Sequence, residues 1–431
     1  MSSTLLGAPL GVDKAACVTL DNGLRVIHDP MPGLKTFALT AVVHGGARFE
    51  APEQSGWAHL AEHMVFKGAG KRSARELAEV IEHRGGTINA STGYEHTRFE
   101  VRGMADLMPL AVEVVGDLMF RPVLEAGELE REKKVIEQEI SEAFDTPDDH
   151  VFDLLQSACY GDHPLGRPIL GTPQSLAPAR TDALRDYIAQ LYNPSEIVLC
   201  VSGGVEAEAL IAAAQTHMGV AGRPRRAEAS PPPFVPTAIR HARKIEQSHL
   251  TLAFEGVSRY DDDLYALKLF GEILGGGMAS RLFQQAREDR GLAYSIDAWT
   301  TQFRDTGIFG IYAGCAPKDA ADLCELIVTV MRDLATAPLE AELERARAQY
   351  RTSLYLHDEN AGQRAGTLGG QLLTYDRVFG IDEQVAELEA VTLDDLKRVG
   401  ERVLSARTCA SAILGPSLKT DPQKRLEAIL A

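Results

Sequence analysis

"TFALTAVVHGGARFEAPEQSGWAHLAEHMVF", residues 36–66, holds two kinds of periodicity in one run. Its first eleven residues are apolar and β-branched and end on Gly45 and Gly46, which predicts a strand. From Gln54 to Phe66 the apolar residues Trp57, Leu60, Ala61, Met64 and Val65 recur at helical spacing, with Ser55 expected to open the helix. The same alternation continues on both sides. "LRVIHD" (24–29) precedes as a strand, a helix over 73–86 stops at Gly85 and Gly86, and "TINASTGYEHTRFEVRG" (87–103) reads as a strand pair. Helices follow over 104–120 and 125–144, then a Pro/Gly loop over 160–173, a helix over 180–192 and the strand "SEIVLCVSGG". Interleaved strands and helices of this kind predict an α+β fold in layers.

At 431 residues the chain exceeds the usual size of one core, so two domains are expected. Residues 222–238, "GRPRRAEASPPPFVPTA", carry five prolines without apolar periodicity and are the linker candidate. Beyond them the order strand, glycine, loop, helix returns in "LTLAFEG" and "DDDLYALKLFGEILGGG". The expected organisation is therefore two related αβ-layer domains, 1–221 and 239–431, a duplication in which the second copy has no histidine pair.

Within the helix, His59 and His63 stand about 40° apart and one turn along, so both imidazoles can reach one ion. Glu62 lies on the other side of His59 from His63, the mirror of its place in the HExxH zinc helix. A catalytic zinc held by three protein ligands keeps one position open and makes a bound water nucleophilic near neutral pH. An adjacent unligated carboxylate can take that water's proton, and Glu62 suits the role. The bland alternative is a surface helix with two half-exposed histidines, so a third ligand has to be found. Residues 125–149 contain ten acidic and three basic residues, mostly expected to be a solvated face. Glu132 and Glu139, seven apart, share a side with Val135 and Ile136 and are the members expected to point inward. Spacing alone does not choose between them.

"HLAEH", with the glutamate of "VIEQE" 76 residues after its second histidine, resembles the H-x-x-E-H motif of the pitrilysin and insulysin family of inverzincins, which includes the mitochondrial processing peptidases. The resemblance implies zinc, one ion per subunit, held by His59, His63 and Glu139, with Glu132 orienting the site. "NASTGYEHTRF" resembles the family's active-site edge strand, which implies that Asn89, Ala90 and Ser91 pair with a peptide substrate. "HPLGRPILGT" resembles a loop of its shorter bacterial members, and "ASRLFQQAREDRGLAYSI" its arginine and tyrosine seven apart, here Arg287 and Tyr294. From the residues alone, Arg287 lies near the end of a helix that Gly291 can stop, and Tyr294 opens the strand "AYSIDAW". By resemblance the pair contacts the scissile peptide and stabilises the oxyanion. Because one chain carries both halves of the set, the resemblance implies a clamshell homodimer with composite active sites.

The expected activity is that of a zinc endopeptidase acting on oligopeptides or unfolded, presequence-like segments. The alternatives are a non-catalytic core or partner subunit of the same fold, and the active subunit of a heterodimeric processing peptidase. A formal charge of -17 disfavours nucleic acid and anionic membrane as partners. No run of about 18 apolar residues occurs. Six scattered cysteines without a CxxC pair read as free thiols, and with no secretory pattern in "MSSTLLGAPLGVDKAACV" the expected location is the cytoplasm.

Overall fold

The computed structural model describes residues 8–12, 14–224, 226 and 229–431. Its first sheet contains strands β1 (Ala8–Pro9), β2 (Ala16–Thr19), β3 (Arg25–Pro30), β4 (Thr36–His44), β5 (Thr87–Thr92), β6 (His96–Met104) and β7 (Ile197–Gly203). They lie in the order β1-β2-β3-β7-β4-β6-β5. The second sheet contains β8 (Ala238–Ala242), β9 (Ser248–Glu255), β10 (Ala293–Gln302), β11 (Gly307–Cys315) and β12 (Ala410–Gly415), ordered β8-β12-β9-β11-β10. The helices that matter for the argument are α1 (Trp57–Val65), α2 (Ala74–Glu82), α3 (Ala126–Asp145), α4 (Pro147–Tyr160), α5 (Leu264–Gly275) and α6 (Ala361–Tyr375).

The two sheets have the same topology once β1 and β2 are set aside. In each, the first strand runs parallel to the last, and the last is antiparallel to the second. The second pairs antiparallel with the fourth, and the fourth with the third, which forms the edge. Strand β5 in the first sheet thus corresponds to β10 in the second, and α1 to α5. The weak side-chain match between the halves hides a duplication that the strand order makes plain.

Two compact units result, and neither is a continuous half of the chain. One comprises Met1–Ile140, Pro168–Ala229 and Leu354–Glu383; the other Ser141–Arg167, Ser230–Ser353 and Gln384–Ala431. This departs from a single division at 222–238. The reason is that each sheet needs apolar cover on both faces. Along β4, Phe37, Leu39, Ala41 and Val43 enter the core beneath α1, while the other face of the sheet, with Ile27, Val198 and Cys200, packs on Ala365, Leu368 and Leu372 of α6. In the second unit α4 covers β12 and β9 in the corresponding way. Arg364 of α6, itself part of the first unit, is buried against β3. Its Nε and Nη2 donate to Asp29 Oδ2 and Oδ1 of β3 at 2.7 and 3.0 Å, and its Nη1 donates to both Asp358 oxygens.

Several local expectations shift. The helix expected from residue 104 begins at Met108, after β6 and a short 3₁₀ turn. Val135 is exposed and Lys133 takes its place on the buried side of α3 with Leu129, Glu132 and Ile136. The linker's Arg225, Ala227 and Glu228 lie outside the described residues, and Ala238 already belongs to β8. All six cysteines are free, five of them buried. No helix among the described residues is long and apolar enough to cross a membrane.

Candidate active site

Helix α1 is enclosed on most of its surface. Trp57, Ala58, Leu60, Ala61, Met64 and Val65 are buried, so His59, Glu62 and His63 are the only partly open residues between 57 and 65. Its start differs from the sequence expectation. The helix begins at Trp57, preceded by Gly56 at φ 87°, and Ser55 does not cap it. The buried carboxylate of Glu50 does so instead, accepting from Gly56 N–H at 2.9 Å and Ala58 N–H at 2.7 Å. Ser55 contributes its carbonyl, which accepts from Ser175 Oγ at 2.7 Å. A side chain on Gly56 would place its Cβ 2.6 Å from Leu170 O, and one on Gly171 would place its Cβ 2.4 Å from Ser55 O. The "HPLGRPILGT" loop therefore fixes where the histidine helix starts.

Helix α3 supplies the glutamates. Lys133, buried beside them, donates to Ala177 O and Ala179 O at 3.1 and 2.8 Å and pins the helix. His59 Nε2 and His63 Nε2 lie 3.8 and 3.6 Å from Glu139 Oε2. These separations exceed a hydrogen bond and are close to the roughly 3.3 Å ligand–ligand edge of a tetrahedral zinc with bonds of about 2.0–2.1 Å. No other group of three such side chains converges in this way among the described residues. Burial, and then the neighbouring His63, push the His59 imidazole down to about 4, which keeps it in the neutral form that binds metal. The donor set fits zinc.

Glu132 takes a different place. Its Oε2 accepts from His63 Nδ1–H at 3.0 Å, leaving Nε2 free, and its Oε1 pairs with Lys67 Nζ at 2.9 Å. Glu62 lies outside the converging trio. Thr92 Oγ1 of β5 donates to its Oε2 at 2.5 Å. Burial raises the Glu62 carboxyl above its ordinary range, against the lowering effect of that bond.

Asn89, Ala90 and Ser91 lie on β5, the outer strand of the first sheet. Gly93 N–H donates to His96 O at 2.8 Å, and antiparallel alternation from that pair turns the main-chain groups of Ser91 and Asn89 toward β6. Those of Ile88, Ala90 and Thr92 face outward. Arg287 and Tyr294 belong to the second unit. Arg287 sits in a π-helical turn, Phe283–Glu288, with its guanidinium 4.7 Å from the Phe283 ring centroid and 5.8 Å from that of Tyr294. The turn is closed by Asp289, Gly291 follows at φ 60°, and Tyr294, the second residue of β10, is 74% exposed at a register shift in the strand. The structure thus brings the two side chains together.

Three residues of the site have no place in the motif reading: Glu50, Lys67 and Thr92. Thr92 is two residues from the quoted Ala90, and alternation along the strand was the signal that could have found it. Glu50 and Lys67 carry no local signal, since each acts through a partner distant in sequence or past a helix end.

Among the described residues the duplicated α+β fold carries one inverted histidine–glutamate set able to hold a zinc ion. Residues 25–173 match the insulinase family (peptidase family M16), and residues 179–350 match the peptidase M16 inactive domain. An uncharacterized zinc protease of Streptomyces coelicolor is 32% identical across 100% of this chain and 95% of its own length. The uncharacterized zinc protease YmxG of Bacillus subtilis is 34% identical over 93% of this chain and 98% of its own. A protease from Helicobacter pylori has the same fold, with a TM-score of 0.87 at 20% identity, over 94% of this chain and 100% of that one. The chain belongs to the insulinase (M16) family and is similar in length to these bacterial zinc proteases.

Proposed function

We propose that the protein is a zinc-dependent endopeptidase that hydrolyses oligopeptides or unfolded, presequence-like segments. The observation that carries this reading is the convergence of His59 Nε2, His63 Nε2 and Glu139 Oε2, with the Glu62 carboxylate beside them and outside the set. When bound, zinc supplies the Lewis acidity that makes a water nucleophilic near neutral pH and polarises a peptide carbonyl. Glu62 accepts the proton of the attacking water and delivers it to the leaving amine. Its burial suits it to that exchange, because a raised carboxyl is a better base close to neutral pH.

A peptide would be held along β5 by hydrogen bonds to the outward main-chain groups of Ile88, Ala90 and Thr92, with Asn89 and Ser91 offering side chains to it. Main-chain pairing of this kind depends little on sequence. Arg287 and Tyr294 of a second copy of the chain complete the site in a homodimer, holding the carbonyl oxygen as charge develops on it.

The deciding experiment is Glu62→Gln. The variant should bind zinc like the parent and leave quenched peptides intact, whereas unchanged hydrolysis by a pure variant sinks the mechanism. A parent protein that binds zinc yet cleaves no peptide favours instead the reading as a non-catalytic partner subunit.

A further inference from the structure

The geometry points to Lys67 as the positioning residue of the metal site, acting through Glu132 on His63. Glu132 is 4% exposed, and each of its two oxygens has its own donor: His63 Nδ1–H at 3.0 Å and Lys67 Nζ at 2.9 Å. A carboxylate held at one oxygen alone can pivot about its side-chain torsions. Held at both, it presents a fixed acceptor to His63, and the imidazole plane and its Nε2 direction follow.

Lys67 is itself well placed to impose that direction. It stands just past the end of α1, where its N–H donates to Met64 O at 3.2 Å. The next residue, Gly68, pairs through its carbonyl with Val123 N–H at 2.9 Å. The base of the lysine side chain is therefore anchored on both sides. The other ligand histidine has no comparable support. His59 Nδ1 is buried and no protein group among the described residues bonds to it. Among the described residues, polar orientation of the histidine pair thus runs through Glu132, and Lys67 has no redundant counterpart there.

This inference rests on the zinc reading proposed above, and the test separates the two. Zinc affinity of the full chain is measured by competition with a chromophoric chelator for the parent, Lys67→Met, Lys67→Arg, Glu132→Gln and the Lys67→Met/Glu132→Gln double variant. Removing an orienting partner of a metal ligand typically weakens binding 10–100-fold, and the loss expected for Lys67→Met is about 10-fold. Lys67→Arg should recover most of it, and in the Glu132→Gln background Lys67→Met should change nothing further. The lysine side chain is 33% exposed, so its replacement opens no core void, and thermal unfolding of the zinc-free forms checks that the variants fold. A parent that binds no zinc overturns the zinc reading itself. A parent that binds, with Lys67→Met binding as tightly or with additive losses in the double variant, overturns the role of Lys67.

Discussion

Thr92 on the outer strand of the first sheet donates its hydroxyl hydrogen to Glu62 Oε2 on the histidine helix at 2.5 Å. One bond thereby joins the proposed proton carrier to the strand proposed to hold the peptide. Burial raises the Glu62 carboxyl and this bond lowers it, so the two effects oppose each other. Thr92→Val keeps the shape and removes the donor, leaving burial unopposed. Glu62 must be ionised to accept a proton, so the acidic limb of the pH–rate profile for peptide cleavage should move to higher pH. An unmoved limb means that Thr92 does not tune Glu62.

The proposed sharing of the site between two copies has a direct consequence. Glu62→Gln and Tyr294→Phe should each be nearly inactive alone. Mixing them with subunit exchange should restore part of the activity, since a mixed dimer holds one site with both halves intact. If exchange is demonstrated by differential labelling and no activity returns, the two halves are not shared between copies.

Gly56 and Gly171 meet back to back, with φ of 87° and 70°. Gly56→Ala is expected to cost about 1–3 kcal/mol, because a side chain is disfavoured at that φ and its Cβ meets Leu170 O. Since the contact sets the start of α1, zinc affinity should fall with it. Urea unfolding and a zinc titration measure the two effects separately.

Arg364 and Asp29 form a buried, two-pronged ion pair, and Ser202 Oγ donates to the same carboxylate at 2.7 Å. Arg364→Met leaves Asp29 charged, buried and short of partners, with an expected loss of about 3–5 kcal/mol. The double change Arg364→Met with Asp29→Leu should lose much less. Equal losses in the two proteins would place the cost in packing rather than charge.

Asp153, on α4 in the second unit, is pushed up to about 6 by burial and then by Asp149, from an ordinary 3.8. Between these values the folded protein holds more protons than the unfolded chain, so stability falls as pH rises from about 4 to about 6. The deficit above that window is at most about 3 kcal/mol. Asp153→Asn should therefore raise the denaturation midpoint at pH 8 and leave it nearly unchanged at pH 4. The opposite ordering would show that the carboxylate is stabilised in the fold.

Local periodicity alone placed a strand over 36–46, a helix over 54–66 and the stacked histidines with Glu62 beside them, because side-chain direction follows from 2.0 and 3.6 residues per repeat; the structure trims these elements to 36–44 and 57–65. It also placed Glu132 and Glu139 on a common side of α3 without separating them. The family resemblance implies the division, and the tertiary structure gives it a geometry, setting Glu139 Oε2 opposite both Nε2 atoms and Glu132 behind His63. The roles of Glu50 and Lys67, and the use of α6 to cover the first sheet, were likewise outside the reach of periodicity, whereas strand alternation puts Thr92 on the same side as Ala90. A repeat reports which way a residue faces along its own element. What it faces is decided by the order in which the strands pair, and that order joins residues far apart in the chain.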